Sequence, residues 1–151
     1  MTDQIWKPNV TVAAVIERAG KFLLVEEHTP DGLRFNQPAG HLDAGESLLH
    51  ACAREALEET AHAFTPRALV GIYLWPHPAG ELTYLRFAFT GDLGEAFPDR
   101  ALDTGIVRTA WLTADEITAQ PQRMRSPLVA RCVQDYLAGR RYALDLLHHY
   151  G

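Results

Sequence analysis

Between Gly40 and Glu59 the chain reads GHLDAGESLLHACAREALEE, and no other stretch restricts its possible folds so tightly. On a helix from Ser47 to Thr60, at about 100° per residue, Glu55, Glu58 and Glu59 leave from one sector about 100° wide. Leu49, Cys52, Ala53, Ala56 and Thr60 form the neighbouring apolar stripe, with Glu59 at its border beside Cys52. Such a helix packs one face on a core and brings three carboxylates to the edge of that core. Burial and mutual repulsion then raise their pKa values. A hard divalent cation with oxygen ligands relieves both penalties. The pattern predicts a Mg²⁺ site. A solvated acidic helix with an Arg54–Glu58 pair is also rich in glutamate. It has no need, however, of Gly40, of Glu46 ahead of the helix, or of the loop Asn36-Gln37-Pro38-Ala39.

The spacing Gly-x5-Glu-x7-Arg-Glu-x2-Glu-Glu, carried by Gly40, Glu46, Arg54, Glu55, Glu58 and Glu59, resembles the Nudix box of the Nudix hydrolases. The segments NVTVAAVIERAGKFLLVEE, FNQPAGHLDAGESL, YLRFAF, AWLTADEI and RSPLV extend the resemblance, from Lys7 to about Tyr142, to bacterial phosphatases of the NudJ type. The resemblance implies an α/β/α sandwich around a mixed β-sheet. It also implies Mg²⁺ (Mn²⁺ as a substitute) on Glu55, Glu58, Glu59 and the backbone carbonyl of Ala39. Arg54 and Glu46 are expected to orient the carboxylates as a pair. Glu55 is a candidate general base or solely a metal ligand, since family members differ and some draw the base from a later loop. The implied substrates are nucleoside di- and triphosphates or a related small pyrophosphate, such as that of the thiamin pyrimidine precursor. One position departs from the family. Its pattern continues with x-Gly-aliphatic, where this chain has Thr60-Ala61-His62. The glycine closes the helix in a left-handed conformation that Ala adopts poorly, so a continuation toward Ala63 is expected.

At 151 residues the chain is expected to form one domain spanning 1–151. No apolar run approaches the length of a membrane span, and the polar start MTDQIWKPN lacks a signal-peptide core, which predicts a cytoplasmic protein without a membrane partner. A net charge of −5 disfavours a nucleic-acid polymer as the ligand and suits a small phosphate ester brought in with its cation. The assembly is expected to be a monomer or small homo-oligomer. Cys52 and Cys132 have neither zinc spacing nor a nucleophile signature and read as small buried hydrophobes.

Val10 to Ile16 and Lys21 to Glu27 are near-continuous apolar runs about the turn Arg18-Ala19-Gly20, and predict a hairpin covered on both faces. His28 to Gln37 reads as a loop, Ala68 to Trp75 and Leu82 to Gly91 as strands, Gly91 to Gly105 as a polar loop, and Arg108 to Leu112 as a last strand. Thr113 to Glu116 has the spacing of a capping box, and Ser126-Pro127 opens a helix that ends at Gly139.

Among the remaining candidates, Asp103 is the expected downstream acidic metal ligand, with Glu81 as runner-up; either also reads as an ordinary loop carboxylate. Phe35 and Trp75 stand at loop or strand ends, where an aromatic either stacks on a flat ring or packs into the core. Trp111, in mid-strand, reads as core. Arg86 alternates with apolar neighbours and either meets a phosphate or pairs with an acid. The seven histidines form no ligand cluster; His41 and His50 merely flank the box. The expected activity is a phosphohydrolase releasing phosphate. A pyrophosphatase yielding a nucleoside monophosphate and pyrophosphate is the alternative within the enzyme class. A non-catalytic ligand-sensing domain fits poorly, because every box carboxylate is present.

Overall fold

The computed structural model describes residues 4–151. Met1 to Asp3, the beginning of the polar start, lie outside the described residues. The strands are β1 (Asn9–Val15), β2 (Glu17–Arg18), β3 (Lys21–Thr29), β4 (Gly32–Asn36), β5 (Ala39–His41), β6 (His62–Pro76), β7 (Thr83–Ala96) and β8 (Ile106–Thr113). The helices are α1 (Leu48–Thr60), α2 (Ala114–Ala119) and α3 (Leu128–Leu137).

Two four-stranded sheets result. The first has the order β5-β1-β7-β6, with β1 and β7 parallel and the other pairs antiparallel. In the second, β3 pairs antiparallel with β2, β4 and β8. The expected hairpin of β1 with β3 is therefore corrected. Only Glu17-Arg18 folds back on Lys21-Phe22, through a turn with Ala19 and Gly20 at φ 52° and 79°, the conformation a two-residue hairpin turn requires. β1 and β3 are apolar throughout because each is central in a different sheet. The predicted loop His28–Gln37 is corrected too: it holds the end of β3, all of β4 and a turn between them. β6 and β7 run past their predicted ends and pair from His62↔Ala96 to Pro76↔Thr83.

Successive β1 residues divide between two layers. Val12 and Ala14, with Leu69 and Phe89, pack on Ala51, Cys52 and Ala56 of α1. Ala13 and Val15, with Val70 and Ala88, pack toward Val129, Cys132 and Val133 of α3 and toward Phe22, Leu24 and Leu112 of the second sheet. This is the expected α/β/α sandwich around a mixed sheet. Both cysteines are buried, and burial pushes their thiols up from their ordinary pKa. Among the described residues, no helix is long and apolar enough to cross a membrane.

Helix ends follow local chemistry. Ser47 caps α1 by accepting from His50 N at 3.1 Å. Thr113 and Glu116 form the predicted reciprocal capping box on α2. Ser126 Oγ accepts from Leu128 N at 3.1 Å where α3 begins. The expected run of α1 toward Ala63 does not occur. Ala61 adopts the left-handed conformation itself (φ 56°, ψ 33°), its N–H donating to Leu57 O. Its carbonyl accepts from Phe97 N at 2.8 Å. The chain must turn there because His62 already pairs with Ala96 as β6 begins, and this non-local pairing outweighs the local preference of Ala.

Candidate active site

The site is built where α1 crosses β5. Gly40 faces the helix so closely that a Cβ on it would lie 2.1 Å from Glu55 Cδ; only a glycine leaves room for that carboxylate. One residue earlier, Ala39 N donates to Glu59 Oε1 at 2.9 Å. The two glutamates are thus aimed from α1 at the β5 backbone. The loop after β7 joins them: Asp103 N donates to Glu58 O at 3.0 Å, which docks that loop on the helix. Carboxylate oxygens of Glu55, Glu59 and Asp103 lie within 4.8 Å of one another.

Glu58 stands apart from that group, and its carboxylate accepts from Arg54 (Nη1 to Oε1, 2.7 Å). The same nitrogen reaches Glu55 Oε1 at 2.9 Å, while Nε and Nη2 grip the two oxygens of Glu46 at 2.6 and 2.9 Å. Nη2 also donates to His41 O at 3.0 Å. Arg54 therefore ties the approach loop, the strand β5 and the helix into one unit. This bidentate hold is the main reason that the Glu46 carboxyl is pulled down to about 2.

The interior carboxylates go the other way. Burial pushes Glu59 up to about 9, against the lowering effect of the Ala39 N–H and with added repulsion from Glu27, Glu55 and Asp103. Desolvation also raises Glu55 and, although it is exposed, Asp103 from their ordinary values, with neighbouring acids adding to the effect. Three oxygen donors crowded with raised proton affinity suit a hard divalent cation, and the donor set fits the expected metal. Glu81 lines the cleft but is no part of this group.

From the carboxylates a cleft of about 900 Å³ runs across the face of the first sheet that is turned away from α1. Arg86 lies in its wall, buried, with Nη1 on Gln37 Oε1 and Nη2 on Asn36 Oδ1, each at 2.9 Å. No carboxylate among the described residues forms an ion pair with it, so of its two expected partners the acid is ruled out. Further along, Trp75 on β6 stacks with Tyr84 on β7 (ring centroids 6.1 Å apart, planes at 19°), and the His77 ring lies tilted at 59° to Trp75, 5.2 Å away.

Phe35 is a correction. It is 3% exposed, belongs to the core on the α3 side and lies under the guanidinium groups of Arg108 and Arg123; a ring so covered has no face left for a ligand. Trp111 packs against the α1-side core as expected. Tyr84 was not among the expected residues, although its two-residue spacing from Arg86 places both on one strand face. His41 lines the cleft through its position on β5.

Comparison with known proteins agrees with this fold. The family model of the NUDIX domain matches residues 6–132. The curated "Phosphatase NudJ" of Escherichia coli (strain K12) is 41% identical over 143 residues, 95% of this chain and 92% of that protein. A structure described as a NUDIX hydrolase from Nitrosomonas europaea superposes with a TM-score of 0.91 at 57% identity, covering 95% of this chain and 98% of the other. A MutT NUDIX hydrolase from Burkholderia pseudomallei shares the fold at 20% identity, with a TM-score of 0.73 over 86% of this chain and 98% of its own. The chain belongs to the Nudix hydrolase family, enzymes acting on phosphorus-containing acid anhydrides.

Proposed function

We propose that this enzyme is a Mg²⁺-dependent phosphohydrolase, with Mn²⁺ as a substitute, that removes phosphate from nucleoside di- and triphosphates or from a related small pyrophosphate such as that of the thiamin pyrimidine precursor. The observation that carries the reading is one cleft holding three chemically distinct surfaces: the carboxylates of Glu55 and Glu59, which Asp103 approaches, the guanidinium of Arg86, and the stacked pair Trp75–Tyr84. They match, in turn, a cation, a phosphoryl group and a flat ring. The name of the E. coli relative, a phosphatase, supports release of phosphate.

Glu55, Glu59 and Asp103 would hold the cation, with the Ala39 carbonyl as a further donor and Glu58 recruited if Arg54 shares it less tightly. A bound divalent cation supplies neutralisation of phosphoryl charge and a lowered pKa for water. Arg54 and Glu46 keep the Glu55 rotamer fixed from behind. Glu55, mostly buried and with its proton affinity raised, would either accept a proton from the attacking water or serve solely as a metal ligand. Arg86 holds a phosphoryl oxygen and Trp75 carries the ring.

The test is turnover of a panel of nucleotides and pyrimidine pyrophosphates with Mg²⁺, with phosphate and pyrophosphate resolved as products. Phosphate release from several of them is expected. Pyrophosphate with nucleoside monophosphate would assign the alternative bond, and no Mg²⁺-dependent turnover of any phosphoanhydride would overturn the reading.

A further inference from the structure

Arg86 is 6% exposed, and a buried cation without a counter-ion is costly. Its two oxygen anchors are the side chains of neighbouring amides, Asn36 and Gln37, at 2.9 Å each, and Nη1 also reaches the neutral Cys132 Sγ at 3.8 Å. Gln37 is itself 1% exposed and locked from its other end, where Nε2 donates to Val129 O at 2.9 Å. Its amide satisfies both sides at once, accepting from Arg86 and donating to α3 without bringing a charge. Two other part-buried arginines are neutralised by carboxylates: Arg54 by Glu46, Glu55 and Glu58, and Arg123 by Glu26. Those arginines tie elements together. At Arg86, in the wall of the cleft, the chain fixes the guanidinium and leaves its charge uncancelled.

We propose that Asn36 and Gln37 are positioning residues, a neutral amide clamp that holds Arg86 in place while reserving its charge for a phosphoryl oxygen of the substrate. This rests on the phosphohydrolase reading and deepens it. The clamped guanidinium crosses β1 to reach the segment that leads directly into Ala39 and Gly40. The anion it serves therefore lies beside the carboxylate group, and the substrate class is restricted to phosphoanhydrides with a fully ionised phosphoryl group there. An alkylated, charge-poor phosphoryl group at that position is refused.

Asn36→Asp tests the charge directly, since it keeps the shape of the anchor and sets a carboxylate on Arg86. KM is expected to rise at least tenfold, and pyrophosphate, measured by calorimetry with Mg²⁺, to bind at least tenfold more weakly, with a much smaller effect on kcat. Asn36→Ala removes one anchor without cancelling charge and should raise KM only a few-fold. Equal effects of the two variants, or an Asn36→Asp enzyme with wild-type KM and pyrophosphate affinity, would overturn the clamp. Should Asn36→Asp fail to fold, Gln37→Met in the same assays replaces it: a raised KM and weaker pyrophosphate binding support the clamp, and unchanged values overturn it. If the wild-type enzyme hydrolyses no phosphoanhydride, the functional reading fails, while pyrophosphate affinity still judges the clamp.

Discussion

Gly40 shows how one residue sets the chemistry of its neighbours. The space a methyl group would need is filled by the Glu55 carboxyl. Gly40→Ala should leave the fold intact but push that carboxylate aside, lowering kcat by about a hundredfold or more, as displacements near 1 Å do; a variant with wild-type turnover would show that Glu55 needs no fixed position. Glu59 gives a prediction of opposite sign for stability and activity. Its folded-state pKa of about 9 lies above the ordinary value of 4.5, so the folded protein holds a proton that the unfolded chain has lost. Stability from this group is complete below about pH 4.5 and falls as pH rises toward about 9. The metal-free protein should therefore lose Tm across that window, and Mg²⁺ should raise Tm increasingly with pH as it displaces the proton. Glu59→Gln should flatten both trends and lower kcat by several orders of magnitude; thermal melts at pH 6 and 8, with and without Mg²⁺, decide it. Glu46, held down near 2 by Arg54, runs the other way and withdraws its contribution only in strong acid, between about pH 4.5 and 2.

At the scale of elements, the helix α1 was legible because everything that defines it is local: the Ser47 cap, the apolar stripe and the spacing of its glutamates. The capping box of α2 was legible for the same reason. Strand partnership was not. β1 and β3 are both apolar on both faces, and a run of that kind reveals burial without revealing its neighbour. Phe35 and Trp75 were equivalent as letters at strand ends. Register separates them: Phe35 sits opposite Glu26 and beside Met124 within the core, whereas Trp75 pairs with Tyr84 at the cleft. The end of α1 was misjudged because a distant strand, through Ala96 and Phe97, dictates the conformation of Ala61. Alanine in that conformation carries a cost of roughly 1–2 kcal/mol, partly offset by the burial of its methyl group. Ala61→Gly is accordingly expected to stabilise by up to about 1 kcal/mol, roughly 2–4 °C in Tm. A lower Tm would mean that methyl packing outweighs the backbone strain.

Across the whole molecule, the cleft crosses from the carboxylates at β5, past Arg86 on β7, to the aromatic pair shared by β6 and β7. Stacking accepts any flat heterocycle, so kcat/KM values within about two orders of magnitude are expected across purine and pyrimidine nucleotides. Trp75→Ala should weaken them all by a similar factor, about 1–3 kcal/mol in transition-state binding. A ten-thousandfold preference for one nucleotide, or a Trp75→Ala enzyme with unchanged kcat/KM throughout, would rule the stacking role out.

The hairpin that carries Trp75 and Tyr84 closes through His77 to Leu82, a turn that contributes nothing to the carboxylate group. On the proposed function, bond cleavage and ring choice are therefore written in separate stretches of the gene. A lineage can rewrite the second by short insertions or exchanges at that tip while inheriting the first unaltered, and the same separation lets an engineer graft a new hairpin onto an intact hydrolytic centre.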